Sequence, residues 1–229
     1  MKNLLFVAIL FLMAGCQESE KTTFREKEEE PANQTLELSE TDEMSTTKKT
    51  IVFFGNSLTA AYGLDPSQGF VGLIKNRIDS LGLNYKVVNA GLSGETSAGG
   101  NSRIDWILRQ QIDVFILELG ANDGLRGTLP SETYKNLSAI IKKVKDKNPE
   151  VKIVVCAMEA LPNMGERFTT EFRSIFSRLA QENEASLIPF FLNGVGGIPA
   201  LNQADGIHPT AEGHQIVAEN IWAVLKDVI

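Results

Sequence analysis

A chain of 229 residues, 43% hydrophobic and 22% charged, falls in the range of water-soluble globular proteins and has room for one or two domains. The net charge is −7 and no basic stripe is visible, which argues against a nucleic-acid partner. No Cys/His cluster has metal-ligand spacing, and no internal repeat appears.

The first segment, MKNLLFVAILFLMAGC, places one lysine before an apolar run that ends in Ala14, Gly15 and Cys16. The run is too short to span a bilayer comfortably and has the order of an export signal. Cysteine after Ala-Gly resembles a bacterial lipobox, although Met13 stands where Leu is usual. On that reading residues 1–16 are a lipoprotein-type signal, Cys16 is the lipidated residue, and the protein is exported to the cell envelope and anchored there. A plain anchor helix and an ordinary secretory signal are the alternatives. Residues 17–49 hold ten acids and five bases, a net −5, and too few apolar residues for a core. They read as a disordered acidic tether, reaching on the order of 30 Å as a flexible coil. Residues 50–229 then form one domain.

Within that domain, short apolar runs alternate with amphipathic stretches. The runs begin at Ile51, Tyr85, Val114, Ile153 and Leu187 and end at Phe54, Val88, Leu117, Cys156 and Phe190. Nearly continuous β-branched and aromatic runs suit parallel strands buried on both faces. Between them, Phe70/Leu73/Ile74/Ile78/Leu81, Tyr134/Leu137/Ile141/Val144 and Ile216/Val217/Ile221/Val224/Leu225 repeat with helical spacing. The expected fold is α/β: a three-layer α/β/α sandwich around a five-stranded parallel sheet in the flavodoxin-like order 2-1-3-4-5. Cys156 lies in one of the runs and reads as a core residue.

In such a fold the loops after the strands gather at one edge. GNSLT follows the first run, and Ser57 either caps a following helix or is a nucleophile raised at the sheet edge. Gly94, in SGETS, can bring a backbone N–H close to a ligand. Asn122, in GANDGLRG, can offer a side-chain amide to an oxyanion. Each could equally serve turn geometry. Asp205 precedes His208 by three residues in DGIHP, a spacing that lets its carboxylate reach Nδ1 or merely turn the loop. Pro209 is expected to open the last helix, and His214 reads as a surface or packing histidine. The G-x-S-x-G elbow, the G-x-x-x-x-G-K-[ST] phosphate loop and the G-x-G-x-x-G fingerprint are absent at the first strand.

Ser57 in GNSLT, Gly94 in SGETS, Asn122 in GANDGLRG and His208 in DGIHP, in that order and spacing, resemble the four blocks of the SGNH (GDSL) hydrolase superfamily. The resemblance covers nearly all of residues 50–229. GANDGLRG, PNMGERF and DGIHP are most similar to the branch of multifunctional acyl-CoA thioesterase I, lysophospholipase L1 and arylesterase. It implies a triad of Ser57, His208 and Asp205, with an oxyanion hole from the Ser57 and Gly94 N–H groups and the Asn122 amide. It implies no metal and no cofactor. Leu125 and the Leu161–Phe168 loop would border an acyl groove, and Arg126 and Arg167 are candidates for anionic head groups. One departure stands out: the family usually has Asp where this chain has Asn56, which keeps an acceptor oxygen and loses the charge.

The resemblance implies an esterase, thioesterase or lysophospholipase. A monomer is expected. An envelope location argues against acyl-CoA, a cytoplasmic compound, and favours lysophospholipids or short esters. A carbohydrate O-acetyl esterase is the second reading. A non-catalytic binding lipoprotein ranks last, because it predicts damage to a residue set that is intact.

Overall fold

A computed structural model describes residues 47–229. The lipobox, Cys16 and most of the acidic segment lie outside the described residues. Five strands, β1 (Lys49–Gly55), β2 (Tyr85–Gly91), β3 (Val114–Glu118), β4 (Lys152–Cys156) and β5 (Ser186–Ile188), form one sheet in the order β2-β1-β3-β4-β5. Every pairing is parallel. The chain thus has the expected doubly wound topology. β1 takes in Lys49, one residue before the expected domain start. β5 stops at Ile188, short of the expected Phe190, because Pro189 has no N–H to give to a ladder.

Successive residues of β1 face opposite layers. The Phe53 ring meets Phe70 of α1 (Phe70–Ser80) edge-on, at 5.8 Å between centroids. Phe54 turns the other way, toward α2 (Ser97–Ile107), where Arg103 lies over its ring at 4.4 Å. α1 packs with α6 (Ala211–Leu225), while α2 packs with α4 (Pro130–Lys147) and α4 with α5 (Glu166–Asn183). These are the two outer layers. α4 and α5 bury stripes at helical spacing, Leu137/Ile140/Ile141/Val144 and Phe172/Ile175/Phe176/Leu179.

Three local expectations change. Pro209 does not open α6: Thr210 is the N-cap, its side chain accepting from Gly213 N, and Pro209 bridges back to Asn202. Residues 166–168 of the expected loop are already the first turn of α5, and a short helix, α3 (Ala121–Leu125), lies inside GANDGLRG. His214 is a packing residue: it is buried, stacked on Phe70, and its Nδ1 accepts from Phe70 N at 3.3 Å. Burial, with a smaller contribution from the charge of His208, pushes its pKa down to about 4. Cys156 is buried in the core, and that burial raises its pKa well above the usual thiol range.

Candidate active site

The turn after β1 folds back over the strand ends. Gly55 makes this possible: a Cβ there would stand 2.1 Å from Thr59 Oγ1 and 2.5 Å from Glu118 Oε2. Residues 57–63 form successive turns and the first helix starts only at Phe70, with Gly69 at its N-cap. Ser57 is therefore not a helix cap. Its Oγ lies 2.9 Å from His208 Nε2.

Asp205 does both things its position allowed. Oδ1 accepts from the N–H groups of Ile207 and His208, each at 3.0 Å, and closes the loop. Oδ2 takes His208 Nδ1 at 2.7 Å. The His208 bond and then the two backbone donors lower the Asp205 pKa to about 2, so the carboxylate stays charged throughout the physiological range. A proton on Nδ1 leaves the Nε2 lone pair to accept from the Ser57 hydroxyl. Ser57 and His208, 151 residues apart in the chain, are thereby aligned with Asp205 at one sheet edge.

The loop after β2 brings Gly94 alongside, with φ +80°, a conformation that glycine adopts at no steric cost. Arg103 grips this loop from α2. Its Nε donates to Glu95 Oε1 at 2.8 Å, and its Nη2 to the Ala90 carbonyl at 2.9 Å and to Glu95 Oε2. Asn122, in α3, donates from Nδ2 to the Glu95 carbonyl at 3.0 Å, which leaves its second amide hydrogen for the cleft that Asn122 lines. Among the described residues the Ser57 and Gly94 N–H groups have no acceptor. The next residue, buried Asp123, accepts from Ser97 N at 2.8 Å and Ser97 Oγ at 2.6 Å, and more weakly from Thr133. It ties α3 to the start of α2 and to α4, and so fixes Asn122.

Asn56 rests on Glu118, the last residue of β3. Its Nδ2 donates to Glu118 Oε1 at 2.8 Å, and its backbone N–H to Oε2 at 3.2 Å. Thr59 Oγ1 also donates to Oε2, at 2.7 Å. Asn56 Oδ1 takes Leu58 N at 2.9 Å. The side chain thus braces the turn on both sides, as donor below and acceptor above. Glu118 is fully enclosed, and burial lifts its pKa to about 7 against the lowering pull of these donors. Glu118, Asp123 and Glu95 hold these loops by hydrogen bonds, and the sequence motifs do not single them out. A signal existed for the first: a carboxylate closing an otherwise apolar strand run.

Ser57 and His208 open into a cleft of about 480 Å³, bordered by Leu58, Leu125, Met158, Leu161, Phe190 and Ile207 among others. Leu125 and Leu161 both line this cleft. Arg126 is not on the wall; its Nη2 donates to the Gly94 carbonyl at 3.2 Å. Arg167 is off the cleft, 91% exposed and paired with Glu171 at 2.9 Å. The carboxylate among the cleft residues is Glu159, which pairs with Arg173 at 3.1 Å. Among the described residues, no group of three or more His, Cys, Asp or Glu side chains could hold a metal ion.

A hydroxyl, an imidazole and a carboxylate in line at the carboxyl edge of a parallel sheet define an enzyme of the serine-hydrolase class. The chain belongs to the GDSL-like lipase/acylhydrolase family, whose model matches residues 53–216. It is 38% identical over 182 residues to esterase TesA of Pseudomonas aeruginosa, covering 79% of this chain and 90% of that one. It is 36% identical over 181 residues to thioesterase 1/protease 1/lysophospholipase L1 of Escherichia coli, covering 79% and 85%. The crystal structure of TesA superposes with a TM-score of 0.76 at 38% identity, over 79% of this chain and all of that one.

Proposed function

We propose that this protein hydrolyses carboxylic esters and thioesters with an apolar acyl group, through an acyl-enzyme on Ser57. The observation that carries the reading is the unbroken path from Asp205 Oδ2 through His208 to Ser57 Oγ, at 2.7 Å and 2.9 Å, opening into an apolar cleft. Ser57 Oγ attacks the acyl carbonyl carbon as its proton passes to His208 Nε2. The carbonyl oxygen, now negative, is held by the Ser57 and Gly94 N–H groups and the Asn122 amide. Asp205 keeps the imidazole in its tautomer and favours the imidazolium. The ester C–O or thioester C–S bond breaks, and Nε2 returns the proton to the leaving group. A water then attacks the acyl carbon and gives a proton to Nε2; the bond from the acyl carbon to Ser57 Oγ breaks, Nε2 returns the proton to Oγ, and the carboxylic acid leaves. Every proton is accounted for by the chain and water.

The apolar cleft favours this reading over a carbohydrate O-acetyl esterase, whose substrate needs polar walls. Among the described residues the cleft wall carries one acid, Glu159, which is paired, and no Lys or Arg, and lysophospholipids and short- or medium-chain esters fit it. The order of residues 1–16 supports export and lipid anchoring through Cys16, and the working unit is proposed to be the monomer, since one chain supplies every group named above. The test is hydrolysis of p-nitrophenyl acetate through decanoate by wild type and Ser57→Ala. Activity lost in the variant and rising with acyl length fits the proposal. Activity on acetate alone supports the O-acetyl reading.

A further inference from the structure

Tyr62 follows Ser57 by five residues and plays no part in the chemistry above. It lines the cleft and is 51% exposed, an unusual state for a large aromatic that is also tightly held. Its ring lies over the His208 imidazole, with centroids 4.6 Å apart and planes at 38°. His208 itself is only 15% exposed.

The backbone is built to keep the ring there. Tyr62 N donates to the Ser57 carbonyl at 3.0 Å. Ala61, just before it, has φ +56°, one of two non-glycine residues in the left-handed region among the described residues. Such strain persists only where its surroundings enforce it. Gln203 supplies the enforcement from the other side. Its Nε2 donates to the Tyr62 carbonyl at 2.8 Å and to the Pro209 carbonyl at 3.0 Å, and its backbone N–H to the His208 carbonyl at 2.7 Å. One side chain thus ties the nucleophile turn to the histidine loop.

We propose that Tyr62 is a positioning residue for His208: its ring covers one face of the imidazole, holds it in line between Asp205 and Ser57, and favours the imidazolium that forms when Ser57 loses its proton. The proposal rests on the serine mechanism above for its kinetic consequence, but not for the ring contact. An aromatic face within about 6 Å of a cation attracts it, and a ring at this separation also limits imidazole rotation. The other titratable groups coupled to His208 are Asp205 on its own loop and His214 from α6; Glu159 shares the cleft. No substitution at Tyr62 alters them.

The experiment uses the purified full-length chain as wild type, Tyr62→Leu and Tyr62→Phe. The leucine fills space without a π face; the phenylalanine keeps the face. Because the chain has only two histidines, NMR of the imidazole protons follows each separately through a pH titration. The proposal predicts that Tyr62→Leu lowers the His208 midpoint by about half a unit, a roughly three-fold loss of imidazolium stability, and leaves His214 unmoved. On p-nitrophenyl acetate the same variant loses about three- to ten-fold in kcat with KM within two-fold. The acid limb of kcat/KM moves to lower pH, and Tyr62→Phe keeps the wild-type limb. A Leu variant with an unshifted His208 titration overturns the proposal. So does a loss carried by KM alone and growing with acyl length, which would make Tyr62 only a wall of the cleft. If Ser57→Ala remains active, the serine mechanism fails while the NMR titration still decides the role of Tyr62.

Discussion

Replacing Glu118 with glutamine probes the floor of the nucleophile turn. In the native chain both carboxyl oxygens accept: Oε1 from Asn56 Nδ2, Oε2 from Asn56 N and Thr59 Oγ1. A protonated carboxyl keeps acceptor capacity on both oxygens, whereas an amide nitrogen has none. With the glutamine oxygen at the Thr59 side, its amide faces the Asn56 amide, donor against donor. Flipping Asn56 only moves the clash to Leu58 N, which now donates to Asn56 Oδ1. One buried donor is left without a partner either way, a cost of about 1–3 kcal/mol. A second effect runs against it with pH. Glu118 has a folded pKa raised to about 7 from 4.5, so between those values the folded state holds more protons than the unfolded one. Native stability therefore falls as pH rises through that window, by about 3 kcal/mol in all, and glutamine escapes this loss. Urea denaturation at pH 5 and pH 8 measures the balance. The expected result is a Glu118→Gln variant about 1–3 kcal/mol less stable than wild type at pH 5 and equal or better at pH 8. Adding Asn56→Asp restores the pairing, because the introduced carboxylate accepts both from the new glutamine amide and from Leu58 N. The double variant is expected to exceed the single one in stability at both pH values. A difference that does not change with pH, or a double variant no better than the single, would refute the reasoning.

Asp205→Asn keeps one oxygen for the Ile207 and His208 N–H groups, turns its amide nitrogen to Nδ1 and removes the charge; it is expected to cost on the order of 10³- to 10⁴-fold in kcat with little change in melting temperature, read by steady-state kinetics and circular dichroism. Since Asp205 stays charged down to about pH 2, its carboxylate is expected to add nothing to the slope of the acid limb of log kcat/KM above pH 4; a slope of two there would mean that the carboxylate titrates in that range. Asp123→Ala leaves the buried Ser97 N–H and O–H donors without their acceptor and is expected to destabilise the fold by about 2–4 kcal/mol in urea denaturation. Arg167→Ala, at an exposed residue off the cleft, is expected to leave kcat/KM within two-fold on every chain length tested.

The sheet is legible because each strand is an apolar run of strand length; only at β5 does the run outlast the strand, since Pro189 cannot donate to the ladder. α1, α4 and α6 carry clear apolar stripes. α2 does not: SAGGNSRIDWI buries small residues such as Ser97 and Gly100, which give no hydrophobic period. Residues 166–168 look like loop in the sequence because the break between the Pro162–Met164 turn and α5 falls at Gly165, inside a polar stretch. In the site, Ser57, Asp205 and His208 were visible through their local motifs. The supports were not, since Asn56 meets Glu118 across 62 residues and Tyr62 meets Gln203 across 141. Arg167 illustrates the converse. An arginine in a suggestive loop pairs instead with Glu171 one helical turn on.

The central claim is that Ser57 is the residue acylated during turnover. The most direct measurement is reaction with a p-nitrophenyl alkylphosphonate, which displaces p-nitrophenol when a serine oxygen attacks phosphorus, followed by peptide mass spectrometry. The account predicts one phosphonyl group per chain, on Ser57, with esterase activity lost in proportion and no labelling of Ser57→Ala. Labelling of another residue in parallel with the loss of activity, or full activity with Ser57 fully modified, would contradict it.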